Sequence, residues 1–392
     1  MADEVEEKAD SARDRKSSAG TIASGIFASR IMGFVREAAV AFYFGIGAHT
    51  DVFQAAFRAP NLLQNLLGEG TISAAFIPVY SRMLAEGREE DAGRFAGAVF
   101  TILLVLVSGL VLLGILLARP LVAILVPGYV DDAQLVAAGE LPIDRYEMIV
   151  AAVRIIFPMT GMLVLSAWAL GILNSHRRFL VPYFAPVIWN VSIIGSLVGG
   201  AYYFVADPLA GGTGLGVDVL TNLLFTAFFG ALVGGILQFA VQLPLVARLV
   251  QGFRFSLSTR IAGVMESIRA FGPVVAGRGV YQLSAYLDMF LASWLGLGAL
   301  AALRPAQMLY ILPVSLFGLS VAASELPELS RLREEQLRLF LGRLTASVRQ
   351  TLFLIVPTFV GYLAFGLLIV GAFFRRGAFG ANDTWLVYLV LG

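Results

Sequence analysis

The chain has 392 residues, 58% of them hydrophobic and 14% charged, with a mean hydropathy of +0.81; soluble domains carry about 25% charged residues, so too few charges are present to coat a water-soluble body of this size. A net charge of +1 supplies no bulk field for nucleic acid. Cysteine is absent and only two histidines occur, His49 and His176, which argues against disulfides, thiol chemistry and a Cys- or His-based metal centre.

Residues 1–20 are polar and mixed in charge, without the basic start and apolar run of a cleavable signal. They read as a disordered cytoplasmic tail. A helix needs about 20 apolar residues to cross the hydrocarbon. Spans are predicted over 21–47, 51–81, 95–118, 148–173, 181–204, 219–247, 264–295, 301–324 and 350–374. A tenth apolar run begins at Thr384 and is too short by Gly392 to cross, so the chain is expected to stop inside a span.

Basic residues concentrate on cytoplasmic loops. Loops 82–94, 174–180, 248–263 and 325–349 carry arginines, whereas 48–50, 205–218 and 296–300 carry none and 119–147 is mostly acidic. This alternation predicts a multi-pass protein with a cytoplasmic N-terminus. Loop 375–383, with Arg375 and Arg376, breaks it. Loop 325–349 places Leu329, Leu332, Leu337 and Leu341 among charges at helical spacing, as in an amphipathic surface helix.

Nine of the ionisable residues inside the predicted spans stand out as candidates: Arg30, Arg36, Glu37, Asp51, Arg58, Glu69, Arg278, Asp288 and Arg304. A charge at the bilayer centre costs about 2.5–3.5 kcal/mol on insertion scales. These side chains must therefore face one another or a wet cavity. At 100° per residue, Asp51, Arg58, Asn65 and Glu69 lie within about 40° of one another, a polar stripe down an apolar helix with Asn61 beside it. Among the nine, arginines outnumber the acids five to four. A wide cationic cavity suits an anionic substrate, because guanidinium groups grip phosphate bidentately and stay charged when desolvated. No P-loop, GxSxG or HExxH signature is present, and no enzyme activity is expected.

The stretches SRIMGFVREAAVAFYFG (29–45) and TDVFQAAFRAPNLLQNLLGEGTISAAFIPVYS (50–81) resemble the opening of the MurJ/MviN lipid II flippases, members of the MOP exporter superfamily. Segments 172–194, 291–303, 312–330 and 373–384 continue the resemblance in order. It implies an all-α polytopic membrane protein, a two-lobe helical bundle around a central cavity. Spans one to six would form a first lobe over 21–250, and spans seven to nine with the start of a tenth an incomplete second lobe over 261–392. The family's cavity arginines match Arg30, Arg36 and Arg58, and its acids match Glu37, Asp51 and Glu69, as cavity or gating groups. Asp288 matches a helix-seven position near which some members bind sodium. Three features depart from the family pattern. Gln64 and Asn65 stand where basic residues are common, Arg304 lies one turn before the usual helix-eight arginine, where Met308 stands, and Arg278 is additional.

The resemblance implies translocation of lipid II, the undecaprenyl-pyrophosphate-linked muropeptide, from the cytoplasmic to the periplasmic leaflet by alternating access through a cationic cavity. Arg30, Arg36, Arg58, Arg278, Arg304, Asn61, Gln64 and Asn65 are the expected substrate contacts. No cofactor is expected; coupling to Na+ or to the membrane potential would run through Asp288. Membrane lipids and cell-wall synthesis proteins are the further expected partners, and the bacterial cytoplasmic (inner) membrane is the expected location. Two alternatives stand beside this reading: a related exporter of another polyprenyl-linked saccharide, and a non-transporting flippase-like membrane scaffold.

Overall fold

A computed structural model describes the backbone of residues 2–209, 211, 212, 214–314, 321 and 337–391, and of these the side chains from residue 20 onward apart from 280, 281, 283–285 and 337. All described regular structure is helical. Helix α1 runs Ala2–Phe44. The segment expected as a disordered tail is thus the start of this helix. It has no Gly or Pro between residues 2 and 19, is rich in helix formers, and spaces Glu4 and Lys8 for i,i+4 pairing.

The second predicted span is three helices in line: α2 (Ala48–Leu67), α3 (Glu69–Ala75) and α4 (Ile77–Ala85). The first break falls at Gly68, where a Cβ would collide with the Gln64 carbonyl. Helix α5 (Glu89–Leu116) is followed by a short helical hairpin in the loop 119–147. There α6 (Ala118–Leu125) turns through 106° over Pro127–Tyr129 into α7 (Asp132–Ala137). Helix α8 (Arg145–Ser175) forms the spine of the first lobe, its N-terminus capped by Asp144, which accepts from the Glu147 amide at 3.0 Å. Helix α9 (Leu180–Phe204) and helix α10 (Val217–Ala240) pack against it and each other, and α11 (Leu243–Leu249) completes the sixth span.

The second lobe comprises α12 (Val264–Ala292), α13 (Ala299–Pro313), α14 (Leu337–Phe374) and α15 (Ala381–Leu391). The expected amphipathic helix at 325–349 is, from Leu337 on, continuous with span nine; Leu329 and Leu332 lie outside the described residues. The lobes meet where α12 packs on α2 and α3, and α13 on α2. Helices α5, α8, α9, α10–α11 and α14 are long and apolar enough to cross a membrane by composition alone. Helices α1, α2, α12 and α13 are not among them, and they carry eight of the nine candidate ionisable residues, with Glu69 opening α3. The apolar helices form the scaffold, with α8 buried at its centre, and α2, α12 and α13 among the charged ones meet at the junction of the lobes.

Loops 45–47, 205–216, 293–298 and 375–380 converge at one end of the bundle, with the Ala378 amide donating to the Phe42 carbonyl at 2.8 Å and the Ile46 amide to Asp383 at 3.4 Å. Loop 375–383 therefore shares the end of the arginine-free loops, and Arg375 and Arg376 are true exceptions to the charge alternation. At the opposite, arginine-rich end, the connection between the lobes is strapped onto α5. Cβ atoms on Gly93 and Gly97 would overlap the backbone carbonyls of Gln251 and Arg254, and the Ser256 amide donates to the Thr101 hydroxyl at 3.2 Å.

Candidate substrate cavity and the clasp above it

At the arginine-poor end, Asp51 in the first turn of α2 is fully buried. Its carboxylate accepts from the Gly298 amide at 2.9 Å and the Ala301 amide at 2.8 Å. The first amides of a helix have no intrahelical acceptor and carry the positive end of its dipole. Asp51 satisfies them on α13 from another helix, so it ties the two lobes together. Gly298, at φ 83°, makes the left-handed turn into α13 that aims these amides at Asp51.

Arg145 completes the clasp. Its Nη1 donates to Asp51 at 3.3 Å, its Nε and Nη2 fork onto Asp132 at 2.6 and 3.0 Å, and its guanidinium lies 3.7 Å from the Tyr129 ring centroid. A buried ion pair offsets its desolvation only when its remaining donors are satisfied, as they are here. Asp51 was expected as a cavity or gating acid; the structure buries it as a tie between α2 and α13. Arg145 and Asp132 were read as loop charges and were missed. Their local signal, opposite charges bracketing the apolar run at 133–143, is weak.

Deeper in the bundle, two arginines, one from each lobe, meet on one carboxylate, and a third lies close to the second of them. Glu37, 4% exposed, accepts from Arg36 Nη2 at 2.8 Å and from Gln54 Nε2 at 3.0 Å, and lies 3.8 Å from Arg304 Nε of the second lobe. The Arg36 Nη1 donates to Asn190 Oδ1 at 3.1 Å, and its guanidinium sits 5.1 Å from the Trp189 ring centroid. The Arg36 Nε is buried without a partner. Arg58 is half-buried and lies within electrostatic range of Arg304 and Asp288. Its side chain makes no ion pair among the described residues, while its carbonyl accepts from Tyr286 at 2.9 Å. Arg36 and Arg304 thus meet at Glu37 across the lobe junction, and Arg58 lies near Arg304 and Asp288.

The other expected contacts lie elsewhere. Arg30 is exposed on α1 and forms no hydrogen bond or ion pair among the described residues. Asn61 and Gln64 are half-buried on α2, and Gln64 and Glu69 line a separate cavity in the first lobe. Asn65 is exposed and donates to Gln282 at 3.1 Å. Arg278 is exposed and does not join the cluster: it donates to the Asn65 carbonyl at 3.3 Å and lies against Gly70. It caps the open carbonyl end of α2 where Gly68 breaks the helix. Asp288 is exposed on α12, and no group of three or more His, Asp or Glu suited to a metal occurs among the described residues. Gln54, Trp189 and Asn190 were not anticipated. A lone amide in the apolar run of α9 was the available signal for Asn190.

Two facing helical lobes with charge-bearing helices at their junction make a helical membrane-protein fold of the kind seen in solved transporters. A structure described as the lipid II flippase MurJ in an inward closed conformation aligns with a TM-score of 0.72 at 24% identity, covering 94% of this chain and 70% of that one. An inward-facing multidrug transporter of the MATE family aligns with a TM-score of 0.61 at 14% identity, covering 93% of this chain and 76% of that one. The family model for lipid II flippase MurJ matches residues 40–391, and the chain belongs to that family. Relatives include a probable lipid II flippase from Rhizobium tropici, 33% identical over 95% of this chain, and a lipid II flippase from Burkholderia cenocepacia, 29% identical over 94%. The chain spans about two thirds of the length of these relatives, 66% and 67%.

Proposed function

We propose that the protein moves lipid II from the cytoplasmic to the periplasmic leaflet by alternating access, its pyrophosphate held by Arg36, Arg58 and Arg304. The observation that carries this reading is the meeting of Arg36 and Arg304, one from each lobe, on the single carboxylate of Glu37, with Arg58 within electrostatic range of Arg304. A pyrophosphate offers more oxygens than one carboxylate and displaces Glu37 from Arg36 and Arg304. Because Glu37 belongs to α1 and Arg304 to α13, that exchange changes a bond between the lobes. Opening toward the periplasm then requires α13 to leave Asp51.

The arginine-rich loops support a cytoplasmic N-terminus, and the bacterial inner membrane is the location this function calls for. No catalytic constellation enters this mechanism, which is transport rather than enzymatic chemistry. Among the described residues Asp288 belongs to no group of three or more His, Asp or Glu suited to a metal, and coupling to the membrane potential needs no such group. Complementation of a flippase-depleted bacterium tests the proposal. The gene should restore growth, and Arg36→Ala, Arg58→Ala and Arg304→Ala should each abolish rescue while the protein stays in the membrane. Growth restored by all three variants overturns it.

A further inference from the structure

We infer that the first lobe holds a subsite for the sugar next to the pyrophosphate, inside a cavity separate from the arginine cluster. The inference rests on the reading of Arg36 as a pyrophosphate ligand. The cavity measures about 170 Å³. Six helices each contribute one polar side chain to it: Ser29 from α1, Gln64 from α2, Glu69 from α3, Ser166 from α8, Asn190 from α9 and Gln238 from α10. Ser166, Asn190 and Gln238 are buried, Ser29 and Gln64 are half-buried, and Glu69 is exposed. Six polar side chains from six helices of an otherwise apolar lobe, turned to one space, make a built site.

Half of that polarity is already used. Ser166 accepts from Gln238 at 3.3 Å and from Gln242 at 2.6 Å, and Asn190 accepts from Arg36 while donating to the Pro186 carbonyl at 3.0 Å. The side chains of Ser29, Gln64 and Glu69 make no hydrogen bond among the described residues. They leave a hydroxyl, a carboxamide and a carboxylate facing the space.

The ligand class follows by elimination. A second anionic group meets Glu69 with no guanidinium in the cavity lining. A metal cation finds one carboxylate where several oxygen anions are usual. An apolar tail leaves the polar groups unpaired. A whole glycopeptide is too large, since cavities that engulf drug-sized ligands measure about 300–1,000 Å³. A single hydroxyl-rich neutral ring fits: it donates to Glu69, exchanges hydrogen bonds with Gln64 and Ser29, and lies along the apolar wall that includes Trp189. Asn190 joins the two sites, lining the cavity while bonded to Arg36. A phosphate on Arg36 therefore puts the sugar attached to it at the cavity mouth.

The test uses the full chain in detergent and two probes, undecaprenyl pyrophosphate and the same lipid carrying one N-acetylhexosamine without peptide. The wild type should bind the sugar-bearing lipid about tenfold more tightly. Gln64→Leu and Ser29→Ala should each cut that preference by about fivefold, the loss of one hydrogen bond, and leave binding of the sugar-free lipid within about twofold. Ser29→Ala removes a single oxygen and keeps the packing, so it guards against a folding defect in Gln64→Leu. Arg36→Ala should weaken both probes. Equal binding of the two probes by the wild type, or an unchanged preference in both cavity variants, overturns the subsite. Arg36→Ala binding both probes normally overturns the pyrophosphate reading instead.

Discussion

Arg304 lies on the first turns of α13, where a long basic side chain can also reach along the helix to the membrane surface. The structure turns it inward, with Nε 3.8 Å from Glu37 and the side chain 41% exposed. One helical turn separates it from Met308, about 5.4 Å along the axis, and an arginine side chain spans that distance. Arg304→Ala should therefore abolish complementation, and adding Met308→Arg should restore it. A fully active Arg304→Ala variant would show that the pairing with Glu37 has no role. Arg36 is the less replaceable group, because its two terminal nitrogens serve Glu37 and Asn190 separately. A lysine offers a point charge in place of that fork, so Arg36→Lys should lose most transport at unchanged expression. Sequence reasoning reached Arg36, Arg58 and Arg304 because charge in a span must be solvated or paired. The same rule misplaced Arg278, since the price of burying a charge does not say whether a cavity or a broken helix end satisfies it. Trp189 and Asn190 escaped because one aromatic and one amide in an apolar helix look like ordinary packing.

Among the elements, the clasp makes an ordering that can be measured. Removing Arg145 leaves two buried carboxylates, Asp51 and Asp132, without their cation, a loss of about 3–5 kcal/mol for a buried pair. Asp51→Asn keeps the Arg145–Asp132 fork and one acceptor for the α13 amides, which costs about 1–3 kcal/mol. Melting in detergent should rank wild type above Asp51→Asn, and Asp51→Asn above Arg145→Met; the reverse order for the two variants would separate Arg145 from the clasp. The strap makes a second test. The Gly97 position faces the Arg254 backbone, which cannot swing aside as a side chain would. Gly97→Leu should release the connection 250–263 and expose it to limited proteolysis, whereas Gly109→Leu, with open space around it, should not. Most spans were legible from hydropathy, and Gly68 among polar neighbours marks the first break in span two, but the break at Phe76 was not legible, because the apolar run passes through it. The α6–α7 hairpin was missed because its apolar run is too short for a span and its purpose lies in contacts distant in sequence. Gly128, in its turn, donates to Ser293 at 3.2 Å.

For the whole molecule, the distribution of arginine and the packing of the loops are independent statements about which ends lie together. They agree for the loops at 48–50, 205–218 and 296–300, and they part at 375–383, where Arg375 and Arg376 argue for the cytoplasmic side. Packing decides this case: the Phe42 carbonyl and the Ile46 amide hold that loop beside the turn after α1. The charge rule sets orientation through the summed bias of all loops, so a single basic pair can be carried to the far side by the spans around it. The absence of native cysteine makes the arrangement testable by single-cysteine labelling of intact cells with an impermeant maleimide. Leu209→Cys and Arg376→Cys, both exposed, should label in intact cells, and Thr259→Cys only after lysis. Arg376→Cys labelling together with Thr259→Cys would break the packing of α14 and α15 described above. Leu209→Cys labelling only after lysis would reverse the orientation, and with it the direction in which a cavity closed by Asp51 presents its arginines.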